Sequence, residues 1–376
     1  MSSRSRNIVQ NLVLIALSVF FAFGVVEGVL RVMPHVLPEE VQLRLHWQEM
    51  RGVDEQIKAH PYIGHLYPAH YQGTFSRGDF HFTYHTDGFG FRNPWPWPEQ
   101  AEIVAVGDSL TFSYGVGDDE AWTTRLARQL QRSRVINLGL IGAAPQQYLR
   151  VYETFGSALQ PKVLLFGLFS GNDLYDARHF ARWVDKGSVG NYREWLASSN
   201  RRGLRKFLNQ QSYLYIFLSE MWHSYRFRLS GKTLTLPNGS ALQLAPSILA
   251  RAAATAHPQH RDFQLVLEAI ERAQAVASQN ATHFLVLLFP SKEEVYLPTL
   301  GETSLDVVGP FRQALAARQV PYLDLTPFFR QQAEAGKKLY FEVDGHPNAA
   351  GYALVAEVVL THLRAHAEEY GLTDWP

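Results

Sequence analysis

Two kinds of apolar pattern divide the chain. A nearly unbroken apolar stretch runs from Ile8 to Val26. From Ile103 onward, short apolar runs of strand length alternate with segments whose apolar residues recur at helical spacing. The run 163–169 is continuous enough to be buried on both faces, as strands of parallel sheets are. This alternation predicts an α/β fold in which helices flank a mostly parallel sheet.

The pattern also places the individual elements. We predict five strands, at 103–106, 135–138, 163–169, 284–289 and 320–323, and helices at about 122–130, 146–159, 263–276 and 348–365. Their order is typical of a three-layer α/β/α sandwich of flavodoxin-like type. Residues 174–260 lack the alternation, so we interpret them as an insertion or lid. The predicted organisation is an N-terminal segment (1–34), a stalk with an aromatic-rich β lead-in (35–100) and the α/β domain (101–376).

The N-terminal apolar stretch is long enough to cross a bilayer. About 19 residues at 1.5 Å each span roughly 28 Å, close to the thickness of the hydrocarbon core. Arg4 and Arg6 precede it, so the positive-inside rule keeps the N-terminus cytoplasmic and predicts a single-pass protein whose remainder is periplasmic or extracellular. The alternative is a cleaved signal peptide with the small-x-small site Ala22-Phe23-Gly24. The length of the run favours the retained anchor.

Composition removes several classes of function. The chain has 376 residues, of which 46% are hydrophobic, with 35 Lys and Arg balanced by 35 Asp and Glu. A chain this apolar builds a core, and zero net charge argues against binding nucleic acid through its phosphates. The absence of Cys excludes disulfides, thiolate metal sites and a Cys nucleophile. Scattered His residues and the absence of Gly-rich phosphate motifs predict neither a metal nor a cofactor.

Polar residues suited to acyl transfer follow the predicted strands. In an open parallel sheet the ligand site lies at the carboxyl ends of the strands. Three motifs stand at such ends and a fourth precedes the last helix: Gly107-Asp108-Ser109-Leu110, Asn137-Leu138-Gly139-Leu140-Ile141-Gly142, Ser170-Gly171-Asn172-Asp173 and Asp344-Gly345-His346-Pro347. Taken singly, each is weak, because such residues also form turns, helix caps and solvated surface. Their shared placement favours a common site.

These motifs together hold the parts of a serine-dependent acyl transfer. A serine is a poor nucleophile without a base, so Ser109 is the candidate nucleophile and His346 the candidate base. Asp344 could set the tautomer of the imidazole. The backbone N–H groups of Ser109 and Gly142, with the amide of Asn172, would form an oxyanion hole. Neighbouring Asp108 is expected to cap the following turn.

The ordered set resembles the SGNH hydrolases, also called the GDSL family of esterases and lipases. The resemblance covers about 102–365 and leaves 174–260 unmatched. It implies that Ser109 is the nucleophile, Gly142 and Asn172 are oxyanion donors and His346 is the base. Ser170 departs from the glycine usual in the third block.

The acid of the triad departs from the family pattern. The family usually has it three residues before the histidine, where this chain has Val343. Asp344 stands two residues before the histidine, so we assign the acid to Asp344 and keep Glu342 in reserve.

Acyl transfer leaves the acceptor open. Water as acceptor predicts an esterase, most simply one that removes O-acetyl groups from a cell-envelope or secreted glycan; a sugar hydroxyl predicts an O-acyltransferase. A third hypothesis is a polysaccharide-assembly or binding protein with a vestigial site. The predicted partners are an acylated glycan or other small ester and the membrane, and no nucleic acid.

Two further segments have two interpretations each. The aromatic run 84–97 either stacks on sugar rings or packs in the core of a hairpin begun by Phe80 and Phe82, and we favour the core. Ser291-Lys292-Glu293-Glu294 follows the fourth strand and either lines the site or forms a solvated turn, which we expect.

Overall fold

The computed structural model describes residues 3–38, 41–42, 57–77, 79–130, 134–199, 203–302 and 306–372. The chain divides into two compact units. The first comprises 1–55 and 197–229, and the second comprises 56–196 and 230–376.

The strands and helices are numbered in chain order. The strands are β1 (Lys58–His60), β2 (Gly64–Leu66), β3 (Gln72–Arg77), β4 (Phe80–His85), β5 (Ile103–Gly107), β6 (Val135–Gly139), β7 (Val163–Phe169), β8 (Lys232–Thr235), β9 (Ala241–Leu244), β10 (His283–Phe289) and β11 (Tyr322–Asp324). The α-helices are α1 (Ser3–Val32), α2 (Ser109–Phe112), α3 (Trp122–Gln129), α4 (Pro145–Val151), α5 (Asp173–Asp185), α6 (Tyr192–Ser199), α7 (Leu204–Gln211), α8 (Tyr213–Ser230), α9 (Pro246–Ala253), α10 (Arg261–Gln279), α11 (Lys292–Tyr296), α12 (Val308–Ala317), α13 (Thr326–Glu334) and α14 (Ala349–Ala365).

The core of the second unit is a five-stranded sheet in the order β11-β10-β7-β5-β6. All four strand pairings are parallel. Every residue of β5 is buried, as are the first six of β7, because helices cover both faces of the sheet. The predicted α/β fold with a mostly parallel sheet is therefore confirmed, and each of the five predicted strands is present.

Two groups of helices enclose the sheet. One contains α4, α5 and α10, which pack against one another, and the other contains α3, α13 and α14. Helix α14 is capped by the preceding residue, Asn348, whose side chain accepts the N–H groups of Ala350 and Gly351. The predicted helix 146–159 ends earlier, because α4 passes at Tyr152 into a π-helical turn and then a 3₁₀ turn that ends at Leu159.

The segment 174–260 divides into three parts. Its first part, 174–196, contains most of α5 and of α6. Leu174 and Ala177 of α5 lie in the main hydrophobic core, and Arg178 pairs with buried Asp262 at 3.1 Å. Residues 197–229 belong to the first unit. The remainder, with the β8–β9 hairpin and α9, places Leu242 and Leu249 in the main core.

In the first unit, α7 and α8 follow one another and α8 contacts the end of α1. The carboxylate of Glu27 accepts the hydroxyl of Ser212 at 2.9 Å and the N–H groups of Tyr213 and Leu214 at 3.0 and 2.9 Å. It thereby satisfies backbone donors at the start of α8 that have no partner within that helix. Buried Ile216 packs with Leu30 and two residues beyond α1, Leu37 and Val41.

Within the described residues, Gln10–Val32 is the one stretch long and apolar enough to span a membrane; it has 23 residues and a mean hydropathy of 2.4. A signal sequence has the same features, so this helix is a candidate for either a membrane span or a signal sequence.

Candidate active site

The nucleophile motif folds as a tight turn from β5 into α2. The Asp108 side chain accepts the Leu110 N–H at 2.8 Å, which confirms it as the cap of the turn. Ser109 is the first residue of α2 and is 7% exposed. A side chain at Gly107 would come within 2.0 Å of Thr111 Oγ1. Only glycine lets the chain fold back this closely and present the serine at the end of the strand.

A histidine and an aspartate complete a hydrogen-bonded chain with this serine. His346 Nε2 lies 2.8 Å from Ser109 Oγ, and Nδ1 lies 2.5 Å from Asp344 Oδ1. Because a carboxylate only accepts, Nδ1 carries the proton, and Nε2 accepts the serine hydroxyl. Such a chain can remove the serine proton during attack on a carbonyl.

The two candidate acids take different positions. The Asp344 carboxylate also accepts the backbone N–H of His346 at 2.9 Å, and its side chain is 9% exposed. Glu342 instead lies 3.6 Å from Lys338, and its side chain is 41% exposed. The structure therefore brings Asp344 to the imidazole and leaves Glu342 at the surface.

The two other predicted oxyanion donors stand at the ends of strands on either side of β5. Asn172 precedes α5, and its Nδ2 donates to Asp108 Oδ2 at 3.3 Å. An amide nitrogen has two hydrogens, so one remains for a ligand. Gly142 follows β6 and has φ +68°, and a side chain built on it would lie 2.0 Å from Nη1 of Arg193. This position requires glycine for its backbone conformation and for the space that Arg193 occupies.

An aromatic cluster lies on one side of the histidine. The Tyr114 ring lies 4.8 Å from His346, between centroids, and contacts the rings of Phe80 and Phe82 from β4. The alternation in β4 correctly predicts its buried face, but nothing in the sequence shows that this face packs near the loop that carries His346. Of the run 84–97, Tyr84 and Phe91 are fully buried, as the core interpretation expects, whereas Phe89 and Trp95 are 43% and 47% exposed.

Comparison with known proteins decides the family. Residues 105–354, more than half of the chain, match the model of the GDSL-like Lipase/Acylhydrolase family. The chain belongs to this family. It is therefore an ester-hydrolysing enzyme of the GDSL type, and the resemblance seen in its motifs is confirmed. No curated protein matches this GDSL-family chain.

Two solved structures are similar to the chain over most of their own length. A member of the lipolytic protein G-D-S-L family from Veillonella parvula has 14% identity, covers 69% of this chain and 96% of its own, and gives a TM-score of 0.36. A catalytic mutant of an acetylxylan esterase from Geobacillus stearothermophilus has 11% identity, with coverages of 69% and 93% and a TM-score of 0.37.

Three buried carboxyl groups lie behind the serine of this GDSL enzyme. Burial raises the pKa of Asp108, and burial together with the charge of Asp108 raises the pKa of Asp173 well above its usual value. The same two causes raise the pKa of Asp176 to about 8, although the charge of Arg193 opposes them. The sequence shows these acids but not their common burial, which depends on where α5 packs.

The expectation of a solvated turn at 291–294 is wrong. Lys292, Glu293 and Glu294 are 1%, 5% and 1% exposed. Glu294 accepts the N–H groups of Val307 and Val308 at 2.9 and 3.1 Å. These charges are buried because backbone groups of neighbouring loops neutralise them, and those loops are distant in sequence.

Among the described residues, no group of three His, Asp or Glu side chains could hold a metal ion.

Proposed function

We propose that this GDSL-family enzyme is a serine esterase that uses Ser109, His346 and Asp344. The observation that carries the proposal is the hydrogen-bonded chain, with 2.8 Å from Ser109 Oγ to His346 Nε2 and 2.5 Å from His346 Nδ1 to Asp344. Both distances lie within the range of a nucleophile–base–acid arrangement ready for proton transfer. This geometry argues against a vestigial site.

The reaction has two steps. Ser109 Oγ attacks the ester carbonyl while His346 Nε2 takes the hydroxyl proton, and the tetrahedral oxyanion accepts hydrogen bonds from Ser109 N–H, Gly142 N–H and Asn172 Nδ2. The intermediate collapses as His346 gives its proton to the departing alcohol, which leaves an acyl group on Ser109. Water then attacks the acyl-enzyme with the same base, and the acid is released.

We propose an O-acetylated glycan of the cell envelope or a secreted polysaccharide as the substrate. An enzyme held at a membrane and facing away from the cytoplasm meets such glycans, and the exposed apolar helix α1 supports this placement.

The experiment compares the full chain in detergent micelles with its Ser109→Ala variant. Release of p-nitrophenol from its acetate ester should fall to the background rate in the variant, because the residual groups cannot form an acyl-enzyme. Equal rates in both proteins would contradict the serine mechanism. Acetylated xylan, tested with and without a deacetylated acceptor glycan, then separates water from sugar as acceptor: free acetate indicates the esterase, and acetylation of the acceptor indicates the transferase.

We infer that α1 is a retained anchor with the N-terminus cytoplasmic. Helix α8 of the same unit supports a position at lipid, because it exposes an apolar stripe at spacings of three and four residues. The exposed fractions are 50% for Leu218, 52% for Met221, 58% for Trp222 and 53% for Tyr225. An exposed apolar stripe that includes Trp and Tyr is typical of residues at the bilayer interface.

Because the chain has no Cys, single-cysteine labelling tests the anchor cleanly. A fluorophore on Trp222→Cys should be quenched by nitroxide lipids in reconstituted vesicles, whereas one on Val189→Cys, in the second unit and 76% exposed, should be quenched by aqueous iodide. Equal iodide quenching at both sites would refute lipid contact. In intact cells, an impermeant maleimide should label Val189→Cys and spare Ser3→Cys.

A further inference from the structure

The loop that carries the triad acid and histidine is held from two sides by charged side chains. On one side, the carboxylate of Asp79 accepts the backbone N–H groups of Val343 and Asp344 at 2.7 and 3.0 Å. Asp79 belongs to the turn between β3 and β4. The aromatic hairpin therefore contacts the loop that carries Asp344 and His346 through the carboxylate of Asp79 as well as through its aromatic rings.

On the other side stands the ammonium of Lys292. Its Nζ lies 3.3 Å from the carbonyl oxygen of Phe341 and 3.0 Å from those of Glu342, Val343 and Asp344. Four consecutive carbonyl dipoles thus converge on one cation, and its three hydrogens are shared among four acceptors. A buried charge is stable only when such groups neutralise it, so this arrangement depends on the curled backbone of 341–344.

We propose that Lys292 and Asp79 are positioning residues that fix the backbone of 341–344 and so keep Asp344 on the imidazole of His346. The cation holds the carbonyl groups of the loop, and the anion holds its N–H groups. The loop is exposed at its tip, where the Val343 side chain is 59% exposed, and charge-assisted hydrogen bonds supply the rigidity that burial does not. This inference rests on the proposed roles of Asp344 and His346.

The effect of losing these contacts follows from the geometry of the triad. A displacement of a catalytic group by about 1 Å costs on the order of 100-fold in rate. Lys292→Met keeps an unbranched chain of similar volume and removes the charge. We expect it to lower kcat by roughly 10- to 100-fold and to leave KM within about threefold, because the Lys292 ammonium is engaged by the loop carbonyl groups and is not one of the groups proposed to contact the ester.

The test measures kcat and KM with p-nitrophenyl acetate in the full chain, together with the rate of Ser109 modification by a fluorophosphonate and the melting temperature. Lys337→Met, at an exposed neighbouring lysine, is the matched control and should behave as the wild type. The fluorophosphonate rate should fall in Lys292→Met in parallel with kcat, because both require a correctly placed His346.

A second variant keeps the inference falsifiable if Lys292→Met does not fold. Asp79→Asn preserves shape and weakens the hold on the loop's N–H groups, so kcat should fall by about three- to tenfold with KM nearly unchanged. Folded variants whose kcat and fluorophosphonate rate both stay within twofold of the wild type would overturn the positioning role. A wild type no faster than Ser109→Ala would instead refute the proposed function.

Discussion

Replacing Asp176 with asparagine should make the protein more stable at alkaline pH and change little at acidic pH. Asp176 lies on α5 and is 7% exposed. Burial, followed by the charge of Asp108, raises its pKa from 3.8 to about 8, against the opposing charge of Arg193. The native state therefore holds a proton that the unfolded chain has already released. Asparagine has a similar shape and no charge to bury.

The sign and size follow from proton linkage. Between pH 4 and pH 8 the unfolded state binds fewer protons at this site than the native state, so the free energy of unfolding falls as pH rises and levels off above the native pKa. Each pKa unit corresponds to about 1.4 kcal/mol. Raising the pH from 5 to 8 therefore lowers the free energy of unfolding of the wild type by about 4 kcal/mol. Asp176→Asn does not lose this stability.

Urea unfolding at pH 5, 7 and 9, followed by tryptophan fluorescence, measures this difference. The control is Asp185→Asn, which removes an exposed carboxyl from the end of the same helix. The stability gained by Asp176→Asn should grow with pH by several kcal/mol, while that of Asp185→Asn stays constant. The charge of Asp176 also raises the pKa of Asp173, so its removal relieves Asp173 as well and adds to the gain in the same direction. A gain for Asp176→Asn that is independent of pH would refute the assigned burial and its charge.

Two further substitutions test the site itself, each with a matched control. Asp344→Asn should lower kcat by roughly 10³- to 10⁴-fold and Glu342→Gln by less than about twofold, measured with p-nitrophenyl acetate; the reverse order would assign the acid to Glu342. Gly142→Ala should destabilise the protein by about 1–3 kcal/mol through backbone strain, plus the clash with Arg193, and should lower kcat. Gly190→Ala has similar strain, at φ +75° with open space around it, and should leave kcat unchanged; equal kcat in the two variants would contradict a role for Gly142.

Local patterns were sufficient to predict the framework. Buried parallel strands are continuous apolar runs, so the runs at 103–106 and 163–169 predicted β5 and β7 within one residue of their observed ends. Because parallel strands place their carboxyl ends at one edge, the motifs after those strands were predicted to meet. The distance of 3.3 Å from Asn172 Nδ2, after β7, to Asp108 Oδ2, after β5, agrees with that expectation. Cap chemistry is equally local, and Asp108 was predicted from it.

Tertiary structure decided which charges are buried and which acid contacts the histidine. The sequence predicted a solvated turn around Lys292. Its acceptors are carbonyl groups at 341–344, and no local rule brings them to it. Asp344 and Glu342 stand two and four residues before His346, and sequence distance alone does not decide between them. The backbone of 341–344, held by Asp79 and Lys292, directs the Asp344 carboxylate to the imidazole. The raised pKa of Asp176 likewise arises where α5 packs beside Asp108. Solvation and long-range contacts, which set these properties, depend on atoms far away along the chain, whereas periodicity and capping depend on near neighbours.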